Sequence, residues 1–93
     1  MQEYKVLLEP EAQSDLENIY DFIMTNDTQV QAARFLHKIQ KAILSLAFMP
    51  MRCRKSIYVQ DENVRDLIVQ GYTICYVVKE DSVHILTVFR QRT

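Results

Sequence analysis

One glycine, two prolines and two cysteines are all that this 93-residue chain contains of the residues that most constrain or staple a backbone. So little glycine and proline leaves little room for long flexible loops, which draw on both to break regular structure. The cysteines, Cys53 and Cys75, are too few and too far apart for a metal motif. No run of about 18 apolar residues occurs, so no membrane-spanning helix is expected. The opening MQEYKVLLEPEAQ is too acidic, and its apolar run too short, for a signal peptide. The expected location is therefore the cytoplasm, where a disulfide is not expected either. The GxSxG, HExxH, P-loop and dinucleotide fingerprints are missing. Neither a metal nor a cofactor is expected.

A large surplus of one charge is missing too. The net charge is −1, which argues against a dedicated duplex-DNA binder. The charge is divided unevenly, however. Residues 1–50 carry four Lys/Arg against seven Asp/Glu, and residues 51–93 carry seven against five. An anionic partner is thus expected to meet the C-terminal half.

What is present is a composition of 48% apolar and 25% charged residues, ordinary for one soluble domain. Residues 3–8 alternate weakly, with Tyr4, Val6 and Leu8 against Glu3 and Lys5, and predict a strand. Pro10 suits the first turn of a helix, and Glu9 and Glu11 suit its positive end. Ala12, Leu16, Ile19 and Ile23 then trace one helix face. The acidic residues Glu11, Asp15, Glu17 and Asp21 read as its solvated side. Asn26-Asp27-Thr28 breaks the pattern and supplies caps for a second helix. Its predicted stripe is Val30, Ala33, Leu36, Ile39, Ile43 and Leu46, and Pro50 lies past its end. Further strands are predicted near 56–59, 64–69, 72–79 and 83–90, with polar turns at 60–63 and 80–82. The fold class is α+β: an N-terminal strand, an α-helical hairpin, then an antiparallel β-meander packed against the hairpin. The two longest strands are apolar on both faces. One face can meet the helices, and the other is a candidate binding surface.

The candidate functional residues are basic. Arg52, Arg54 and Lys55 form a cluster that could hold phosphates, since Arg presents a planar fork to oxyanions. The plainer alternative is a solvated loop. Arg65 sits in an otherwise apolar strand, aimed either at an anionic ligand or at Asp61, Glu62 or a helix carboxylate. Arg90 and Arg92 are two apart and project from one strand face, shared with His84, Leu86 and Val88 if the strand is unbroken. They could stabilise a pentacoordinate phosphate during RNA cleavage, clamp an acidic partner, or protect a sheet edge. His37 reads as a solvated helix residue, and His84 as structural, with no carboxylate partner evident. Cys75 reads as a small buried thiol. Cys53, between two arginines, is the candidate reactive thiol.

In order along the chain stand Ala12…Asp15-Leu16…Ile19-Tyr20…Ile23, then Ala32-Ala33…Phe35-Leu36…Ile39…Leu46…Pro50. After these come Val64-Arg65-Asp66-Leu67…Gly71-Tyr72…Ile74…Tyr76…Val78, then Val83…Ile85-Leu86-Thr87-Val88 and a basic ending. This succession resembles the RelE/ParE superfamily, the toxins of type II toxin–antitoxin modules, over nearly the whole length. The resemblance implies a cognate antitoxin whose disordered segment folds over the toxin. From the positive C-terminal half and the two-sided apolar strands, that antitoxin is expected to mask the C-terminal basic residues. From the short apolar runs and the net charge, no membrane partner and no sequence-specific DNA binding by the toxin alone are expected. The target the resemblance implies is either DNA gyrase or the ribosome with its mRNA. RelE-like nucleases carry basic residues in the strand before Gly-Tyr and an Arg directly after it. The matching positions here are Val64, Asp66 and Thr73. Arg90 stands where many members have His, and arginine stays protonated, which makes it a poor general base. If the chain is a nuclease, Arg65, Arg90 and Arg92 are its catalytic candidates. The departures favour the ParE-like branch, a gyrase inhibitor acting by binding. An mRNA endoribonuclease and an inactive antitoxin-binding protein are the alternatives.

Overall fold

The computed structural model describes residues 1–90; Arg92 lies outside the described residues. The elements run β1 (Lys5–Leu8), α1 (Pro10–Asn26), α2 (Gln29–Ser45), a 3-10 turn (Pro50–Arg52), β2 (Arg54–Lys55), β3 (Val64–Val69), β4 (Tyr72–Val78) and β5 (Ser82–Arg90). The five strands form one sheet in the order β1-β5-β4-β3-β2. β1 runs parallel to β5, and the remaining pairs are antiparallel. This is the expected α+β arrangement, with β1 added to the end of the meander.

Local chemistry explains the junctions. Glu9 is extended, and its N–H donates to the Ile85 carbonyl, so the β1–β5 ladder continues up to the residue before Pro10 starts α1. Pro10 has no N–H to waste at that position. Between the helices, Thr28 Oγ1 accepts from Gln31 N at 3.1 Å and caps α2. The β3–β4 turn uses Gln70 (φ 54°) and Gly71 (φ 81°), two left-handed residues that match the twist of a two-residue hairpin loop.

The core lies between the helices and one sheet face. Ala12 and Leu16 of α1, Ile39 and Ile43 of α2 and Leu46 just past its end pack on Ile74, Tyr76 and Val78 of β4 and Val83, Ile85 and Val88 of β5. Each fully buried aliphatic side chain contributes about 1.5–3 kcal/mol. The face that α2 turns inward differs in part from the predicted stripe. Ala32 is buried and Phe35 packs on the core, while Val30 is 60% exposed and Ala33 is exposed as well. The first two turns of α2 hold more apolar residues than one face can bury. Spacing alone does not say which of them the sheet will cover.

Two further expectations are corrected. β5 is not unbroken: Cys75 pairs with Thr87 but Tyr76 pairs with Ile85, so Leu86 is an inserted residue. A one-residue bulge switches the faces of everything after it. Val88 and Arg90 therefore share the core face with Val83 and Ile85, while His84 lies on the far face. The strand predicted near 56–59 is also displaced. Only Arg54 and Lys55 pair with β3. From Ser56 the chain leaves the sheet edge and crosses the far face. Ser56 Oγ lies 3.9 Å from Cys75 Sγ, and Ile57 N donates to Asp66 Oδ2 at 3.2 Å. The Tyr58 ring meets Phe89 edge-on with centroids 5.0 Å apart. The second apolar face is thus covered in part by the chain's own loop, which buries Asp66, Thr73 and Cys75 beneath it.

Candidate functional site

The candidate basic residues named from the sequence fall into two groups. The first gathers where α2 ends and β2 pairs with β3. Arg52 gathers the end of α2 and the turn after it: Nη1 donates to the Ser45 carbonyl at 3.4 Å and to the Phe48 and Met49 carbonyls at 2.7 and 3.2 Å, and Nη2 to Ser45 Oγ at 2.9 Å. A cation at a helix C-terminus satisfies the last carbonyls and meets the negative end of the dipole. Arg65 likewise turns to backbone, with Nε on the Glu62 carbonyl at 2.9 Å and Nη1 on the Cys53 carbonyl at 3.0 Å. Arg54 faces the buried carboxylate of Asp66 at 3.4 Å, and Lys55 faces Glu62 at 3.3 Å on the surface. The fold's own carbonyls and carboxylates occupy all four groups.

The second group is Arg90 alone among the described residues. It is exposed at the end of β5, opposite Tyr72. It borders a shallow depression of about 300 Å³ shared with Asp15, Asn18, Phe22, Tyr72 and Phe89. Tyr72 is held by an edge-on contact with Phe35 at 4.9 Å. Arg65 and Arg90 are not neighbours. Arg65 sits across from Tyr76 and Arg90 across from Tyr72 on the other flank of β4, roughly 16 Å apart by strand spacing and rise.

Two carboxylates have partners that the sequence did not indicate. Asp15, read as part of a solvated helix face, accepts from Thr87 Oγ1 at 2.6 Å and from Val88 N at 3.0 Å. β1 stops opposite Ile85, so the rest of β5 has an open edge. Asp15 satisfies the Val88 donor there. Glu9 Oε1 lies 2.8 Å from His84 Nδ1, whose other ring nitrogen is 3.1 Å from Ser82 Oγ. These pairs join residues more than seventy positions apart, and only the register of β1 on β5 brings them together. His37 is exposed on α2.

Tyr76 donates to the Pro50 carbonyl. Burial, with a contribution from neighbouring Cys53, pushes its hydroxyl pKa far above the ordinary tyrosine range. Burial also pushes the Cys75 thiol up. Both thiols are free: Cys53 is half-buried against the core, and Cys75 is buried on the far face. Among the described residues, no helix is long and apolar enough to cross a membrane.

Residues 6–93 match the family of the ParE toxin of the type II toxin–antitoxin system parDE. The chain belongs to this family. Solved structures share the fold. One is the chromosomal ParDE toxin–antitoxin system of P. aeruginosa, with TM-score 0.81 and 19% identity over 96% of this chain and 97% of that one. Another is the RelBE2 toxin–antitoxin complex of Mycobacterium tuberculosis, with TM-score 0.72 and 19% identity over 98% and 94%. Among curated proteins no relative matches. For a ParE-family toxin, the arrangement of Arg90, Tyr72, Phe22 and Phe89 offers a small exposed surface with one cation and aromatic walls. Of the basic residues near the β2–β3 edge, Arg54 and Lys55 face carboxylates, whereas Arg52 and Arg65 donate to uncharged backbone carbonyls.

Proposed function

We propose that this chain arrests growth as a ParE-like inhibitor of DNA gyrase and is neutralised by a cognate antitoxin. The supporting observation is the internal engagement of Arg65, which is roughly 16 Å from Arg90 by sheet geometry. In-line cleavage of RNA needs its charge stabilisers and a proton acceptor converged on one phosphate. Inhibition by binding needs no such convergence, only an exposed contact surface, and Arg90 with its aromatic surround supplies one. The family match and the ParDE and RelBE2 complexes support an antitoxin as partner.

The test is induction of the chain without antitoxin, reading growth together with a DNA-damage reporter. Arrest with a rise in the reporter is expected. Arrest without a rise, with cut transcripts on ribosomes, would replace this reading by an mRNA endoribonuclease. Normal growth from folded protein would leave only an antitoxin-binding role.

A further inference from the structure

Three unpaired cations lie together where the charge count of the two halves does not point. α2 contains Arg34, Lys38 and Lys41 and no Asp or Glu. α1 contains Glu11, Asp15, Glu17 and Asp21 and no Lys or Arg. The hairpin is therefore sharply polarised, although the N-terminal half is acidic as a whole. Arg34, Lys38 and Lys41 are all exposed. Among the described residues, none of them has a carboxylate within ion-pair distance, in contrast to Arg54 and Lys55.

Their spacings of four and three put them on one side of α2, away from the buried Ala32, Ile39 and Ile43. At the rise of an α-helix they span about 10 Å. One strand of duplex DNA carries about three phosphates over that length. Arg34 and Lys38 also line a depression of about 280 Å³ with Gln31 of α2 and Gln70 of the β3–β4 turn. Asp27 is the one carboxylate on its wall. Its Oδ1 already accepts from Thr28 N at 2.8 Å.

We infer that this outer face of α2 is a sequence-independent seat for a nucleic-acid phosphate backbone. Gln31, Arg34, Lys38 and Gln70 hold one phosphate, and Lys41 extends the track to the next. A phosphate backbone fits better than an acidic protein surface, because the exposed side chains between Val30 and Leu44 on this face, His37 with Arg34, Lys38 and Lys41, are polar or charged and hold no carboxylate. Protein interfaces centre on buried apolar or aromatic groups, whereas backbone contacts to nucleic acid are charged and polar. The overall charge of −1 sets the strength. Three cations opposite four acids on the neighbouring helix make a weak, salt-sensitive contact.

The inference stands apart from the growth-arrest reading, and its test uses the purified full chain. A fluorescent duplex DNA of about 20 base pairs is titrated by anisotropy over a range of salt concentrations, alongside poly-glutamate. Binding is expected to fall with salt at a log–log slope of about −1.8, from two neutralised phosphates. The Arg34→Gln/Lys38→Gln double variant should lower both affinity and slope, to about −0.9. The Lys5→Gln/Lys79→Gln variant removes equal charge from exposed sites elsewhere, and should retain the slope. Absence of salt-dependent binding by the parent would overturn the inference. So would equal losses in the two variants. Poly-glutamate binding as tight as DNA would assign the face to an acidic polypeptide instead. Amide shifts mapped by NMR should centre on residues 31–41; shifts centred on Arg90 or the β2–β3 edge would also overturn it.

Discussion

Tyr76 shows how much one side chain can couple. Its ring is fully buried in the core, and its hydroxyl reaches the Pro50 carbonyl just beyond α2. That single bond fixes the chain's exit from the helix towards β2. Because the folded protein holds the hydroxyl protonated well above the ordinary pKa near 10, the unfolded chain releases this proton first as pH rises. The stability from this group is complete below pH 10 and is lost progressively above it, by about 1.4 kcal/mol per pH unit. Denaturant titrations from pH 7 to 11 should therefore show a steeper alkaline loss in the parent than in Tyr76→Phe. The variant should be less stable at pH 7 by about 1–3 kcal/mol, since it leaves a carbonyl unpaired. Parallel alkaline limbs would mean that Tyr76 ionises as freely in the fold as outside it.

At the scale of elements, the informative places are where one element stops and another must take over. β1 covers only half of β5, and Asp15 of α1 closes the remaining edge. Asp15→Ala should cost about 1–3 kcal/mol. It should also speed hydrogen exchange at Val88 without affecting the β3–β4 turn; unchanged exchange at Val88 would remove Asp15 from this role. The β3–β4 turn makes the opposite case. Gln70 adopts a left-handed conformation that Asn or Gly tolerates better. Gln70→Asn should raise stability by up to about 1 kcal/mol. Gly71→Ala should lower it, because φ of 81° strains any Cβ even though nothing lies within 4 Å of that position. A thermal melt of both variants checks the pair of signs. This turn was legible beforehand as the gap between the strands expected near 64–69 and 72–79. The Asp15 cap was not, because its partner lies 73 positions away.

For the whole molecule, the charge pattern decides which surfaces remain available to partners. Arg52 and Arg54 looked equivalent to Arg90 as anion contacts when read along the chain. In the fold they hold a helix end and a buried carboxylate, while Arg90 faces solvent. Titration against the cognate antitoxin should accordingly separate them. Arg90→Ala should weaken binding at unchanged melting temperature. Arg52→Ala should lower the melting temperature through the lost cap, by an amount worth about 1 kcal/mol. If Arg52→Ala weakens binding with an unchanged melting temperature, the cap assignment fails.

The order of elements, both helices, the three long strands and the family were set by the sequence alone. Each rests on local periodicity, caps and turns, or on a linear succession of residues. The tertiary structure alone decided the rest. It set the bulge at Leu86, the loop crossing the far face, the partners of Asp15 and Glu9, and the engagement of Arg52 and Arg65. These depend on strand register and on which backbone carbonyls lie within reach of a long cation. Neither is encoded within a window of neighbouring residues, because pairing energy is gained only after distant segments have met.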